Sequence, residues 1–116
     1  MAVPTPNPAE FQILLALARQ ERHGYGIMQE IARQSGGRFR IGPGTLYGAI
    51  KRLQAAGWIT ESAAAARRSG EQDARRTCYY RLTPAGRTAA AAAARQMADL
   101  VSVAADHGLV KLKPAH

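Results

Sequence analysis

The sequence predicts a mainly α chain with a small β-hairpin. Three observations predict it. Apolar residues recur at helical spacing in four segments. Two short runs of strand composition, Trp58-Ile59-Thr60 and Cys78-Tyr79-Tyr80-Arg81-Leu82, stand between the third segment and the fourth. Prolines and glycines punctuate the boundaries.

The first helix is expected to start at Asn7-Pro8-Ala9-Glu10. Asn7 caps, Pro8 suits the first helical position, and Glu10 supplies the reciprocal carboxylate of a capping box. Phe11, Leu14, Leu15 and Ala18 make one apolar stripe, and Ile13 and Leu17 make a second. A helix this apolar must be covered from more than one side. His23-Gly24-Tyr25-Gly26 reads as a glycine-rich turn. A short second helix follows, with Ile27, Met28, Ile31 and Ala32 on one face and Gly36-Gly37 as its stop. Arg38-Phe39-Arg40-Ile41 alternates basic and apolar residues, which suits a short extended piece.

Gly42-Pro43-Gly44 opens the third helix. Leu46, Ala49, Ile50 and Leu53 form its buried stripe, and Gly57 ends it. On a wheel of about 100° per residue, Gly48, Lys51 and Ala55 point away from that stripe. Thr45 and Arg52 flank this outer face on one side, Tyr47 and Gln54 on the other. In the strands, Cys78, Tyr80 and Leu82 share one face by the period of two. The segment between them, Ala63 to Thr77, is too long for a tight turn and is expected to extend the strands and carry a flexible loop. Thr83-Pro84 starts an alanine-rich last helix whose bulk comes late, in Met97, Leu100, Val101 and Ala104. Gly108 closes it.

A length of 116 residues suits one compact domain, and 47% hydrophobic against 21% charged residues suits a globular one. A core this small gains from a dimer that hides more apolar surface. Sixteen lysines and arginines against eight acids give a net charge of +8, which favours a polyanionic partner. Solvated arginines and an anionic membrane surface are the competing readings. However, no polybasic amphipathic helix stands out, and no apolar run approaches the roughly 20 residues of a membrane span. The single cysteine, Cys78, excludes an internal disulfide and a paired-cysteine zinc site. Cys78 is either a buried strand residue or a redox-sensing thiol. Met1 to Pro8 lacks the blocks of a signal peptide, so the expected location is the cytoplasm.

Three helices followed by a basic two-stranded hairpin is the order of a winged helix-turn-helix, in which the third helix enters the DNA major groove. On this reading Arg40, Thr45, Tyr47, Gly48, Lys51 and Arg52 are candidate DNA contacts, together with Arg67, Arg68, Arg75 and Arg76 of the wing. Each has a plainer alternative. Gly48 either lets DNA approach the backbone or permits close packing of another helix. Tyr47 either meets phosphate and thymine or is a core-edge aromatic. The basic side chains either touch DNA or are solvated surface. His23 is assigned to closing a turn rather than to binding metal, and His107 and His116 lack a ligand cluster. Gly42 and Gly44 lack the lysine and hydroxyl of a phosphate loop, and no catalytic grouping stands out. No enzyme activity, cofactor or metal is therefore expected. The rival function is a winged helix whose basic face meets an acidic protein.

The run Gly42-Pro43-Gly44-Thr45-Leu46-Tyr47-Gly48-Ala49-Ile50-Lys51-Arg52-Leu53 resembles the recognition-helix signature of the PadR family of transcriptional regulators. His23-Gly24-Tyr25-Gly26-Ile27 resembles the family's turn before the second helix. Tyr79-Tyr80-Arg81-Leu82-Thr83-Pro84-Ala85-Gly86-Arg87 resembles its second wing strand and last-helix start. The resemblance runs from Phe11 to Leu109. It implies a winged-helix homodimer that represses genes from a palindromic double-stranded DNA operator. It also implies release by a small hydrophobic or phenolic effector. The short C-terminal part resembles the smaller branch, with a single C-terminal dimerisation helix. One departure stands out. Some drug-binding members carry a tryptophan on that helix, whereas the only tryptophan here is Trp58, and no Phe, Trp or Tyr lies beyond Tyr80. The expected organisation is a flexible lead-in over 1–8, a winged helix-turn-helix over 9–83, a dimerisation helix over 84–108 and a tail over 109–116. The expected dimer interface uses Phe11, Leu14, Leu17, Met97, Leu100, Val101 and Ala104.

Overall fold

Helix α1, Pro8–Ala16, begins with the expected capping box. Asn7 Oδ1 accepts the Glu10 N–H at 2.8 Å, and Glu10 Oε1 accepts the Asn7 N–H at 2.9 Å. Two of the helix's orphan donors are thereby satisfied. The computed structural model describes residues 5–62 and 78–112. After α1 come β1 (Arg22–His23), α2 (Gly24–Gln34), α3 (Pro43–Ala55), β2 (Ile59–Glu61), β3 (Tyr79–Leu82) and α4 (Pro84–Asp106). The fold is mainly α with a small antiparallel sheet, as expected. The loop assigned to Ala63 to Thr77 lies outside the described residues.

The sheet has three strands rather than the two of a hairpin, in the order β1-β3-β2. Ile59 pairs with Leu82 and Glu61 with Tyr80, while Arg22 pairs with Tyr80 and His23 with Tyr79. Of the segment read as a glycine-rich turn, His23 therefore ends β1 and Gly24, Tyr25 and Gly26 open α2. His23 is the N-cap of α2, and its Nδ1 accepts the Gly26 N–H at 2.9 Å. Residues 38–41 form no strand. The Ser35 hydroxyl accepts the Phe39 N–H at 2.9 Å and lies 3.1 Å from the Phe39 carbonyl, so this backbone is occupied locally. The alternation still decides orientation there: Phe39 and Ile41 pack toward the core and Arg38 and Arg40 are exposed.

The core takes Ile13, Leu14 and Leu17 from α1, Ile27 and Ile31 from α2, and Leu46, Ala49, Ile50 and Leu53 from α3, closed by Ile59 and Tyr80 of the sheet. The stripe of α3 is the expected one. That of α1 is not, because Ile13 and Leu14 share the buried side while Leu15 is exposed. Leu82 of β3 and Cys78, one residue before the strand, are both half-buried and pack against this core. Helix α4 is anchored by its start. Thr83 Oγ1 accepts the Gly86 N–H at 3.0 Å and donates to the Gly57 carbonyl at 2.6 Å, and the Thr83 N–H donates to the Trp58 carbonyl at 3.0 Å. Arg87 donates to the Ala18 carbonyl at 2.8 Å, which ties α4 to the end of α1.

Candidate nucleic-acid interface

The fixed apolar stripe of α3 dictates what its other side presents. With Leu46, Ala49, Ile50 and Leu53 sunk in the core, Thr45, Tyr47, Lys51 and Arg52 are all exposed and Gly48 is half-buried between them. Pro43 sits in the first turn and Gly42 caps without a side-chain bond, leaving a slim, open helix start. This is a one-sided helix with a short polar and basic outer surface, a shape that fits a major groove.

Two of these side chains are held by other elements. Tyr47 lies over the start of α2, where a methyl group on Gly24 would come within 2.1 Å of the Tyr47 Oη. Only glycine leaves room for the phenol there. Tyr47 is nevertheless 45% exposed, so it is both a packing residue and a surface one. Arg52 donates its Nε–H to Glu10 Oε2 at 2.8 Å. Its Nη1 lies over the outer face, 3.8 Å from where a Gly48 Cβ would sit. Arg40 folds back over the turn after α2, with Nη2 3.6 Å from the corresponding point on Gly37. Lys51 is exposed beside them. Arg67, Arg68, Arg75 and Arg76 lie outside the described residues.

Behind this face the chemistry is that of packing. Burial pushes the Tyr80 phenol up to about 12, helped by the nearby Cys78, Tyr47 and Glu61. Burial, and then Glu61, pushes the Cys78 thiol up as well. Cys78 stands one residue before β3, and a thiol raised by burial is a poor nucleophile. The His23 ring meets Tyr79 edge-on at 5.3 Å, and its Nδ1 is occupied by the α2 cap. Among the described residues, no group of three or more His, Cys, Asp and Glu side chains could hold a metal ion.

The residues expected at a dimer interface divide into two sets. Leu14 and Leu17 are buried in the protomer's own core, because α1 turns that side toward α2 and α3. They have no surface to offer a second copy. Met97, Leu100 and Val101 are exposed, Leu100 by 69%, with Ala104 half-buried beside them. Phe11 is half-buried and joins Met97 and Leu100 along a groove of about 390 Å³ between α1 and α4. A neighbouring groove of about 300 Å³ runs along Trp58, Ala85, Thr88, Ala89 and Ala92. Sequence reading missed Glu10 and Gly24 as parts of the site. Glu10 signalled only its cap, and nothing in the spacing of Gly24 pointed to Tyr47.

Comparison with known proteins places this architecture. Residues 13–92 match the transcriptional regulator PadR-like family. A transcriptional regulator of Mycobacterium tuberculosis is 38% identical over 88 residues, which cover 76% of this chain and 74% of that protein. An uncharacterised 37.1 kDa protein of transposon TN4556 in Streptomyces fradiae is 39% identical over 94 residues. That match covers 81% of this chain, which spans only 24% of that relative's length. Among solved structures, a PadR family transcription regulator from Clostridium difficile superposes with a TM-score of 0.70 at 21% identity, covering 87% of this chain and 98% of that one. No helix among the described residues is long and apolar enough to cross a membrane.

Proposed function

The chain belongs to the PadR-like family of transcriptional regulators, and from that premise we propose that it represses genes by binding a palindromic operator as a homodimer. It is a DNA-binding regulator and not an enzyme. The finer reading rests first on α3, whose apolar stripe is fully committed to the core while Thr45, Tyr47, Gly48, Lys51 and Arg52 form its outer surface. These residues read base edges and phosphates, and Arg40 together with Arg67, Arg68, Arg75 and Arg76 adds phosphate or minor-groove contacts. A net charge of +8 supplies the long-range attraction.

The homodimer is supported by the exposed apolar surface of α4. Met97, Leu100 and Val101, with Ala104 and the Phe11 groove, form a two-fold contact that hides them. That contact sets the distance between the two recognition helices, and so the spacing of operator half-sites. The proposed domain limits are a winged helix-turn-helix over 9–83 and a dimerisation helix over 84–108. Repression is supported by the family resemblance, because a dimer seated on a promoter would exclude the transcription machinery. Release by a small hydrophobic or phenolic effector is supported by the groove beside Trp58, which borders the junction of α3, β2 and α4.

The test is selection of duplexes from a random-sequence library by the wild-type protein, followed by gel shift. The expected result is an inverted repeat, retained at physiological salt against excess unrelated DNA. A complex dissolved by unrelated DNA contradicts the proposal and favours the rival, an acidic protein partner for the basic face.

A further inference from the structure

An exposed arginine on a recognition helix pays an ordering cost when it grips DNA, because its long side chain must give up its rotamers. In this protein one arginine is ordered beforehand. The geometry points to Glu10 as a positioning residue that aims Arg52 at the DNA backbone. The inference rests on the reading of α3 as the DNA-contacting helix and deepens it.

Four contacts carry it. Glu10 is itself fixed, because its Oε1 accepts the Asn7 N–H and its own N–H donates to Asn7 Oδ1. Its side chain is only 12% exposed. Its second oxygen, Oε2, takes the Nε–H of Arg52 at 2.8 Å. The guanidinium is thereby gripped along its inner edge while the side chain stays 57% exposed, with Nη1 over Gly48 on the outer face. With Nε occupied, the donors left to a ligand are those on the two Nη atoms, an end-on fork that suits one phosphate. Arg52 is also in the last turn of α3, whereas base edges are read mainly from the first turns of a recognition helix. Its ligand is therefore a phosphate of the DNA backbone. An unheld carboxylate beside DNA would only repel phosphate. Glu10 is instead tied into a helix cap and spends its charge on Arg52.

The variant that separates these effects is Glu10→Gln. Glutamine still accepts the Asn7 N–H in a capping box, so the melting temperature checks that the fold is kept. Arg52→Ala and the double variant complete a cycle. Each is titrated with a duplex that the wild-type protein selected from a random library, and with a scrambled duplex, over a range of salt. Glu10→Gln is expected to weaken binding about three- to tenfold, the cost of ordering one long side chain at the complex. The slope of log K against log salt should stay as in the wild type for Glu10→Gln, whose Arg52 still meets its phosphate, and become shallower by about 0.9, one phosphate contact, for Arg52→Ala. With Arg52→Ala already present, Glu10→Gln should cause no further loss. Equal or tighter binding by Glu10→Gln overturns the inference, and so does an Arg52→Ala variant that binds normally or keeps the wild-type slope. A wild-type protein that does not distinguish selected from scrambled duplex overturns the underlying reading as well, so the two failures are told apart.

Discussion

Gly86 rests with its backbone against the Trp58 carbonyl: a methyl group on Gly86 would lie 2.0 Å from that oxygen and 2.8 Å from its carbon. This contact, with the Thr83 bonds to Gly57 and Trp58, joins the start of α4 to the turn between α3 and β2. Gly86→Ala gains helix propensity of about 1 kcal/mol. The clash is with backbone rather than with a movable side-chain end, so overpacking prevails. The net expectation is a loss of about 1–3 kcal/mol, read from the urea midpoint. An unchanged or higher midpoint would show that α4 does not need this approach.

Gly24 poses the opposite case. A methyl group there meets the far end of the Tyr47 ring, 2.1 Å from Oη and 2.8 Å from Cζ, on a half-exposed side chain rather than on backbone. Gly24→Ala should change stability by less than about 1 kcal/mol while displacing the Tyr47 phenol from its place on the face of α3. DNA affinity should fall, as it should for Tyr47→Ala. If both variants bind selected DNA as the wild type does, Tyr47 is a core-edge aromatic and nothing more.

The buried Tyr80 phenol gives the protein an alkaline limit. Its folded value of about 12 lies above the ordinary phenol value, so the folded state holds the proton more tightly. The stabilisation is complete below about pH 10 and drains away as pH rises from there through about 12, about 2–3 kcal/mol in all. The raised Cys78 thiol acts in the same direction. Unfolding free energies measured from pH 8 upward should fall less steeply for Tyr80→Phe. Parallel curves for the two proteins would contradict this account of Tyr80.

The exposed half of α4 predicts association. Fully burying a leucine-sized side chain contributes about 1.5–3 kcal/mol, and symmetry repeats each contribution. The wild type should sediment as a dimer at micromolar concentration, and Leu100→Asp, Val101→Asp as a monomer with weakened operator binding. A monomeric wild type, or a dimeric variant with normal affinity, would rule out this interface.

How much of this was legible before the structure depends on where the information lies. The α3 stripe and the Asn7–Glu10 box are local, spelled by spacings of three and four, and both appear as read. Strand β1 is two residues long, too short for any period, and the cap that follows it is a histidine. Helix α1 is apolar on nearly every side, so periodicity could not say that Leu15 faces out while Leu14 and Leu17 face in. The Arg52 contact with Glu10 joins positions 42 apart, and the bed that Gly24 makes for Tyr47 joins α2 to α3. Such pairings exist only once the helices have packed.

The central claim is that the outer face of α3 reads duplex DNA by sequence. Its most direct measurement is a competition titration of wild type and Lys51→Ala, using the selected duplex against a single-base-pair substitution series at fixed salt. The claim predicts a clear preference of the wild type for the selected sequence. It also predicts that Lys51→Ala loses roughly 1–3 kcal/mol, with discrimination relaxed at particular base pairs. Equal binding to every duplex in the series, or a Lys51→Ala profile that overlays the wild type, would contradict it.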